Sequence, residues 1–255
     1  MKTVGFIGGG RIVNIMLKGL VAAGKLPPHV TVYDPDAAAR DNLAKSIKDI
    51  NVTDALSGAA DADVVVLAVH PQAIADVTRE AVKDLKKDAF VLSLVPKIKV
   101  AKTIELLGGH ARVARMNPNA PSMVNRGFNP VSYSQSCTAD DRKMMGDLFG
   151  ALGAMPEVED AQIDAFAVVT ALGYTYLDYQ CAELFSLAKQ FGIPEELASQ
   201  GIRSLFAGVA ETVLKKDAGF DALNLVPARP LSEQEESVKK LYNDKLVERY
   251  KMLTQ

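Results

Sequence analysis

Three consecutive glycines near the N-terminus have the spacing of a nucleotide-binding turn. Gly8–Gly10 directly follow an apolar, β-branched run and precede a helical pattern. Glycine permits a tight turn and lets the backbone approach a pyrophosphate, while the N-terminus of the following helix supplies N–H groups and a partial positive charge. The third glycine of the usual motif is replaced by Val13. The residues that we predict to contact a dinucleotide here are Gly8, Gly10, Arg11 and Ile12.

A carboxylate follows the second β-branched run, where the ribose of such a cofactor is usually bound. Asp34 at this position would accept hydrogen bonds from both ribose hydroxyls and would repel a 2′-phosphate. We therefore predict NAD or NADP as the cofactor, with a preference for NAD. Arg40 lies close enough in sequence to offer a rival phosphate contact. The alternative interpretation is an ordinary strand-to-helix turn with Asp34 in a loop.

The elements that position these residues alternate along the first part of the chain. Short β-branched runs alternate with helical patterns up to about residue 116, which is typical of parallel strands joined by right-handed helical crossovers. We predict an α/β fold with a Rossmann-type, doubly wound parallel sheet. The predicted strands are Thr3–Ile7, Val30–Tyr33, Val64–Val69, Phe90–Val95 and Ala111–Met116, with a last short strand near Ala154–Val158.

From about residue 160 the pattern is helical to the C-terminus. We predict a dinucleotide-binding domain over residues 1–158 and an all-helical dimerisation and substrate domain over residues 159–255. The segment Ile163–Leu187 has few charges, so a helix there would be apolar nearly all round. Because such a helix needs cover on every side, we predict a homodimer formed through this region.

Composition excludes several classes of protein. The chain has 255 residues, of which 48% are hydrophobic and 24% are charged, with a net charge of −2. It lacks the dense basic block of a nucleic-acid binder. No apolar run reaches the ~20 residues of a membrane helix, and we predict no membrane association. Cys137 and Cys181 have no CxxC partner, so we predict no metal site and expect a reducing cytoplasm. The chain enters its first apolar run without a basic-then-apolar leader, so we expect an unprocessed protein.

Four segments together resemble the pyrroline-5-carboxylate reductase family. Phe6–Gly10 resembles the family's opening, and Leu67–Gln72 resembles its AVKPQ strand end. Arg115–Pro121 resembles RxMPNTP, and Asp164–Tyr176 resembles DAVTALSGSGPAY. That family reduces a cyclic imine acid to proline with a nicotinamide cofactor. The resemblance therefore implies an oxidoreductase of the proline biosynthesis type, which acts on a small-molecule imine or acid.

The resemblance also implies which residues line the cofactor. In the family, the stretches after the fourth and sixth strands line the nicotinamide. His70 stands at such a strand end, where it could donate to the ribose or nicotinamide, or could simply be a solvated loop histidine. The cofactor contacts implied by position are Gly8, Gly10, Asp34, Val69, His70, Pro71, Asn117, Pro118 and Asn119.

Several positions depart from the family pattern. Thr170–Thr175 stands where the family has SGSGPA, so the pocket must differ in shape. The family's PGGTT loop, which holds the substrate carboxylate, should follow residue 220, but Asp221–Pro230 contains neither glycine nor threonine. Arg229 could replace that anion site by a bidentate contact. Asn117 replaces a methionine and Lys97 stands near a usual glycine, so the nicotinamide side is expected to be altered as well.

Candidate proton donors or substrate ligands come from the segment that faces the nicotinamide in the family. We predict Thr170, Tyr174 and Thr175 as catalytic residues, with Tyr176 as a further candidate. The alternative is that these side chains pack in a buried dimer helix, where tyrosine hydroxyls usually just find a partner. Hydride transfer asks little of side chains, because the cofactor does the chemistry and the protein orients it.

Two other functions remain open at this point. A hydroxyacid dehydrogenase of similar architecture would need a catalytic lysine in the interdomain helix, and Gly173–Gln180 contains none. A dinucleotide-binding protein without turnover would be a sensor or scaffold that has lost the carboxylate loop. Cofactor binding without reduction of any imine would select this last possibility.

Overall fold

A computed structural model describes residues 2–215, 226 and 228–254. The chain divides into two units: one comprises Met1–Leu172 with Arg249–Gln255, and the other comprises Gly173–Glu248. The domain boundary between residues 158 and 159 stays a prediction.

The first unit is built around a seven-stranded sheet in the order β3-β2-β1-β4-β5-β6-β8. The strands β1 to β6 pair in parallel, and β8 adds to β6 in the antiparallel direction. The strands are β1 Val4–Ile7, β2 Val30–Tyr33, β3 Asn51–Thr53, β4 Val64–Leu67, β5 Phe90–Ser93, β6 Val113–Met116, β7 Gly127–Phe128, β8 Val131–Tyr133 and β9 Gly153–Ala154. The predicted doubly wound sheet is confirmed, with one antiparallel edge strand that was not predicted.

Helices cover both faces of this sheet. Successive residues of a strand point to opposite faces, so Phe6 packs in one buried cluster with Met16 while Ile7 packs in the other with Ile74. The helices are α1 Arg11–Ala22, α2 Ala37–Ser46, α3 Leu56–Ala60, α4 Ile74–Ala81, α5 Val100–Leu106, α6 Ala139–Phe149, α7 Asp160–Phe166, α8 Tyr174–Gln190, α9 Glu195–Leu214 and α10 Glu235–Thr254.

Two local predictions are resolved differently by the structure. The strand predicted near Ala154–Val158 is wrong in extent: β9 has two residues and pairs with β7, and Glu157 adds only a single bridge to Val131. The helix predicted over Ile163–Leu187 is divided into α7, a π-helical segment at Ala167–Ala171, and α8. At the start of α6, the side chains of Thr138 and Asp141 form a capping box.

The second unit is helical throughout the part that the structure describes. α8 ends before Gly192, whose φ of 79° lies in the left-handed region, and α9 begins after Pro194. Within this unit Tyr176 and Tyr242 pack edge to face, with their ring centroids 5.8 Å apart. None of the helices in the described ranges has the length and apolar character required to cross a membrane.

Candidate functional site

The predicted cofactor residues lie in a row at the carboxyl edge of the sheet. The strand order places Asp34 after β2, Gly8 after β1, His70 after β4 and Asn117 after β6. Lys97 follows β5, between the last two. With neighbouring strands about 4.8 Å apart, the row from β2 to β6 is about 19 Å long. This is the edge at which open α/β sheets bind ligands.

The glycine turn requires glycine at its first position. Gly8 has a φ of 104°, and a Cβ atom there would lie 2.5 Å from the carbonyl oxygen of Ala68. Gly10 differs, because a Cβ atom there would have no heavy atom within 4 Å and its φ is −70°. The backbone at Gly10 therefore faces open space that a pyrophosphate can approach.

The N-terminus of α1 is free to bind an anion. Arg11 and Ile12 form its first turn, Gly10 precedes them as the cap, and no side chain caps the helix. The first turn carries no acidic residue. The first N–H groups of the helix and its partial positive charge therefore face the glycine turn, with no acidic side chain in the helix's own first turn to offset them. A cleft of about 390 Å³ borders this turn, with Arg11 and Lys18 in its lining.

Asp34 ties the second strand to the glycine turn. Its Oδ2 atom accepts a hydrogen bond from Gly9 N at 2.8 Å, and its Oδ1 atom accepts one from Asp36 N at 2.9 Å. Arg40 donates from Nη1 to the carbonyl oxygen of Asp34 at 2.7 Å, and its Nη2 atom lies 3.9 Å from Asp54 Oδ2. The carboxylate is thus held in place beside the turn, while the Arg40 guanidinium is engaged by the backbone behind it.

The end of β4 presents a histidine to solvent. His70 is exposed and its Nδ1 atom accepts a hydrogen bond from Gln72 N at 3.5 Å. A neutral imidazole that accepts at Nδ1 carries its proton on Nε2, which is then a donor. Val69 and Pro71 flank it and are partly exposed at the same strand end.

The end of β6 combines a structural asparagine with an unpaired one. The side-chain oxygen of Asn119 accepts a hydrogen bond from Phe128 N at 3.1 Å, and the residue is only 6% exposed. Pro118 is buried beside it. The amide nitrogen of Asn117 is shielded from solvent and has no hydrogen-bond partner among the residues that the structure describes. The Asn117 amide nitrogen is thus a buried donor that the described residues leave unpaired, whereas the Asn119 side chain is tied to the loop at Phe128 through its oxygen.

A buried ion pair behind this edge was not predicted from the sequence. Arg115 in β6 is 2% exposed, and its guanidinium meets the Asp164 carboxylate through two contacts of 2.5 and 3.3 Å. Asp160 adds an Oδ1 contact at 3.3 Å, and its other oxygen accepts from Val100 N at the start of α5. This network joins β6 to α7 and α5. The sequence gives one sign of this pair. Arg115 begins the segment that resembles RxMPNTP, and Asp164 begins the segment that resembles DAVTALSGSGPAY.

Comparisons with known proteins agree with this geometry. Residues 3–97 match the family model described as NADP oxidoreductase coenzyme F420-dependent. The pyrroline-5-carboxylate reductase of Corynebacterium melassecola is 28% identical over 219 residues, which cover 85% of this chain and 81% of that protein. The chain is therefore similar in sequence to pyrroline-5-carboxylate reductases over most of its length.

Solved structures with this family name span nearly the whole chain. A pyrroline-5-carboxylate reductase from Coxiella burnetii superposes with a TM-score of 0.69 at 26% identity and covers 99% of this chain and 94% of its own. The Plasmodium falciparum pyrroline carboxylate reductase with NADP bound has a TM-score of 0.82 at 20% identity, with 99% and 97% covered. At 20% identity, the comparison with the Plasmodium falciparum protein shows a common fold only.

The segment predicted to be catalytic does not lie in one unit. Thr170 belongs to the first unit, in the π-helical turn, where its hydroxyl donates to the carbonyl oxygen of Phe166 at 2.8 Å. Tyr174 and Thr175 begin α8 in the second unit, and Tyr174 is 51% exposed. The residues Thr170–Thr175, which depart from the pyrroline-5-carboxylate reductase pattern, thus begin inside a π-helical turn, a feature that is frequent at functional sites.

Arg229, the residue that could replace the family's carboxylate loop, already has a partner within the protein. Arg229 Nη2 forms an ion pair with Glu235 Oε2, at the start of α10. Asp221–Leu225 and Pro227, which stand where the family has its PGGTT loop, lie outside the described residues. The guanidinium of Arg229 therefore has a protein carboxylate as its partner, which weakens its claim to a substrate carboxylate.

Proposed function

We propose that this protein is an NAD(P)H-dependent reductase of the pyrroline-5-carboxylate reductase type, which transfers a hydride to the C=N bond of a cyclic imine acid. The observation that carries the proposal is the glycine turn, where Gly8 makes the bend and Gly10 leaves open space at the uncapped start of α1. The names of the relatives support the reaction class.

The residues of the carboxyl edge suit a bound nicotinamide dinucleotide. The first-turn N–H groups at Arg11 and Ile12 would bind its pyrophosphate, and Asp34 would accept from its adenosine ribose. The strand ends at His70 and Asn117 would orient its nicotinamide half. When bound and reduced, such a cofactor supplies a hydride. A protonated imine becomes an amine by gaining that hydride at carbon, so the chain's task is to orient both partners and exclude water.

The geometry at Asp34 supports a preference for NADH over NADPH. Both carboxylate oxygens already accept one backbone N–H, which holds a negative charge beside the position of the ribose. A 2′-phosphate would be repelled there. Arg40 is the rival contact for such a phosphate, but its Nη1 atom donates to two backbone carbonyls, those of Asp34 and Pro35.

Thr170, Tyr174 and Thr175 remain our candidates for contacts with the substrate. Hydroxyl groups can hold the imine nitrogen or a bound water without themselves changing charge. Their support is their place in the segment that resembles the family motif, and the π-helical turn at Thr170. Tyr174→Phe should raise the substrate KM if its hydroxyl contacts the substrate, and should leave the kinetics unchanged if the ring merely packs.

A homodimer through the helical unit is part of the proposal. Leu205, Val209 and Val213 follow one another at intervals of four residues on α9, and each is about half exposed. Leu177 and Tyr179 on α8 are also exposed. Apolar stripes of this size are usually covered, and a second copy of the chain offers the same stripe. Cytoplasmic location fits the two free cysteines.

The experiment that tests the function follows the absorbance of NADH and NADPH with 1-pyrroline-5-carboxylate and with other cyclic imines. Oxidation of either cofactor that depends on a cyclic imine acid supports the proposal. Cofactor binding with no turnover of any imine would refute it and would favour a dinucleotide-binding protein without catalysis.

A further inference from the structure

Two residues at the carboxyl edge depart from the resembling family and lie at the ends of neighbouring strands. Lys97 follows β5 and Asn117 follows β6, and these two strands pair in parallel. Both lie in the first unit. In the strand order they stand beyond β4, on the side away from Asp34. They therefore lie in the half of the row that, in the proposed function, holds the nicotinamide.

Lys97 is held in a backbone conformation that disfavours lysine. Its φ is 66°, in the left-handed region where a Cβ atom is penalised. Asn125 shares this conformation, but its amide donates to the carbonyl oxygens of Gly19 and Ala151, which fixes the turn. Lys97 is exposed, and no carboxylate among the described residues forms an ion pair with it. A strained, unpaired cation at a ligand-binding edge points to a ligand that needs its charge.

Asn117 provides a second, independent observation. Its amide nitrogen is shielded and has no partner among the described residues, which is costly for a buried donor. Asn129 Nδ2 is also unpartnered, but that residue is 1% exposed and sealed in a loop core where its oxygen accepts from Ser122 Oγ. Asn117 is partly exposed as a residue. A rotation of the Asn117 amide can therefore bring its nitrogen to the edge, whereas Asn129 is enclosed on all sides.

We propose that Lys97 and Asn117 bind the carboxylate of the substrate, the first through its charge and the second through its amide N–H. This rests on the proposed function and names how the imine acid is held. Both side chains are donors, and a carboxylate is an anion with oxygens to accept from each. The cofactor's pyrophosphate is a poorer candidate, because the glycine turn lies about 10 Å from β5, two strands away. Lys97 and Asn117 would then bind the carboxylate that the PGGTT loop binds in the resembling family.

The test compares two cyclic imine substrates that differ only in the presence of a carboxylate. The kcat/KM for 1-pyrroline-5-carboxylate relative to 1-pyrroline is measured with NADH for the wild type, Lys97→Gly and Asn117→Met. We expect this ratio to fall by about 10-fold or more in each variant, which is the size of a lost charge-assisted hydrogen bond. Asn117→Met introduces the methionine of the family pattern, and Lys97→Gly introduces the glycine that the family usually has near this position.

The matched control is Asp49→Gly, because Asp49 is exposed and has a φ of 64°. Glycine relieves the same backbone strain at both positions, so neither Lys97→Gly nor Asp49→Gly should lower the thermal midpoint. The control should leave the ratio unchanged. An unchanged ratio in Lys97→Gly and Asn117→Met, with wild-type turnover intact, would overturn the proposal while leaving the proposed function standing.

A binding measurement decides the matter if no imine is turned over, which is the outcome that refutes the proposed function. L-proline and pyrrolidine, the same ring without the carboxylate, are then titrated into the protein saturated with NAD⁺. Preferential binding of L-proline that is lost in Lys97→Gly and kept in Asp49→Gly supports the carboxylate site. Absence of that preference in the wild type overturns it.

Discussion

Gly8 and Gly10 differ in what a methyl group would meet, although both belong to the same turn. Gly8→Ala places a Cβ atom 2.5 Å from Ala68 O at a φ of 104°, so we expect a loss of about 2 kcal/mol or more in the free energy of unfolding. Gly10→Ala meets nothing within 4 Å and should fold normally. Its methyl group would instead intrude on the pyrophosphate and weaken NADH binding.

Urea unfolding and NADH fluorescence titration of the two variants measure these effects. Gly9→Ala serves as the control, since a Cβ atom there makes ordinary contacts of 3.5 Å with Asp34 and the N–H to its carboxylate is kept. If Gly10→Ala binds NADH as tightly as the wild type, the dinucleotide is not bound at this turn.

Asp34→Ala should weaken the binding of NADH more than that of NADPH. Loss of the bonds to Gly9 N and Asp36 N loosens the turn for both cofactors alike. Loss of the carboxylate removes a ribose contact of NADH and a repulsion of NADPH, so the ratio of the two Kd values should move about 10-fold toward NADPH. Fluorescence titration gives both constants, and an equal loss for the two cofactors would remove Asp34 from the ribose site.

Residues whose roles follow from local chemistry could be predicted from the sequence. The glycine turn and Asp34 are recognisable because neighbouring residues on the chain show the strand and the helix between which they must lie. Arg115 and Asp164 are 49 residues apart, and only the fold brings them together. Asn117 and Asn119 also look alike in the sequence. Only the fold shows that the Asn119 oxygen accepts a hydrogen bond from Phe128 N, while the Asn117 amide nitrogen has no partner among the described residues.

At the scale of elements, the Arg115–Asp164 pair joins β6 to α7. Asp164→Asn would leave a buried guanidinium without its main counter-charge, so we expect a loss of about 3–5 kcal/mol in the free energy of unfolding. The double variant Arg115→Met with Asp164→Leu should recover most of that loss, because it removes both charges. Urea denaturation measures both, and equal instability of the single and double variants would contradict the account.

The start of α6 should make stability depend on pH. Burial acts to raise the pKa of Asp141, but the hydrogen bond and charge of Arg112, with the hydrogen bond from Thr138 N, outweigh burial and lower the pKa below its ordinary value. A depressed carboxyl pKa contributes stability that is complete above about pH 4 and is lost as the pH falls through the folded-state value.

Thermal midpoints measured between pH 7 and pH 3 test this dependence. The wild type should lose stability below about pH 4 more steeply than Asp141→Asn, which has no carboxyl group to protonate at this position. Identical slopes in the two proteins would show that Asp141 does not contribute.

Elements with a strong periodic pattern were predicted, and short ones were not. The apolar runs of β1, β2, β4, β5 and β6 give five strands in their places. β3 and β8 have three residues each and carry polar side chains. Their sequences are therefore too short to show a clear alternation of apolar and polar residues. The π-helical turn at Ala167–Ala171 follows from how the chain passes from α7 to α8, which local propensity does not encode.

At the scale of the whole molecule, the exposed stripe on α9 predicts self-association. The wild type should sediment as a dimer at micromolar concentration, and Val209→Glu should shift it toward a monomer, because an added charge opposes burial of the stripe. Lys240→Glu on α10, a change of charge at an exposed and already polar position, is the control. Sedimentation of the wild type as a monomer would contradict the dimer.

The central claim is hydride transfer from a nicotinamide to an imine carbon, and deuterium labelling tests it most directly. The protein is incubated with NADH that carries deuterium at both positions of C4, together with 1-pyrroline-5-carboxylate, and the proline formed is analysed by mass spectrometry. Each molecule of proline that is formed should gain one deuterium. Oxidation of NADH without deuterium in the product, or no product at all, would contradict it.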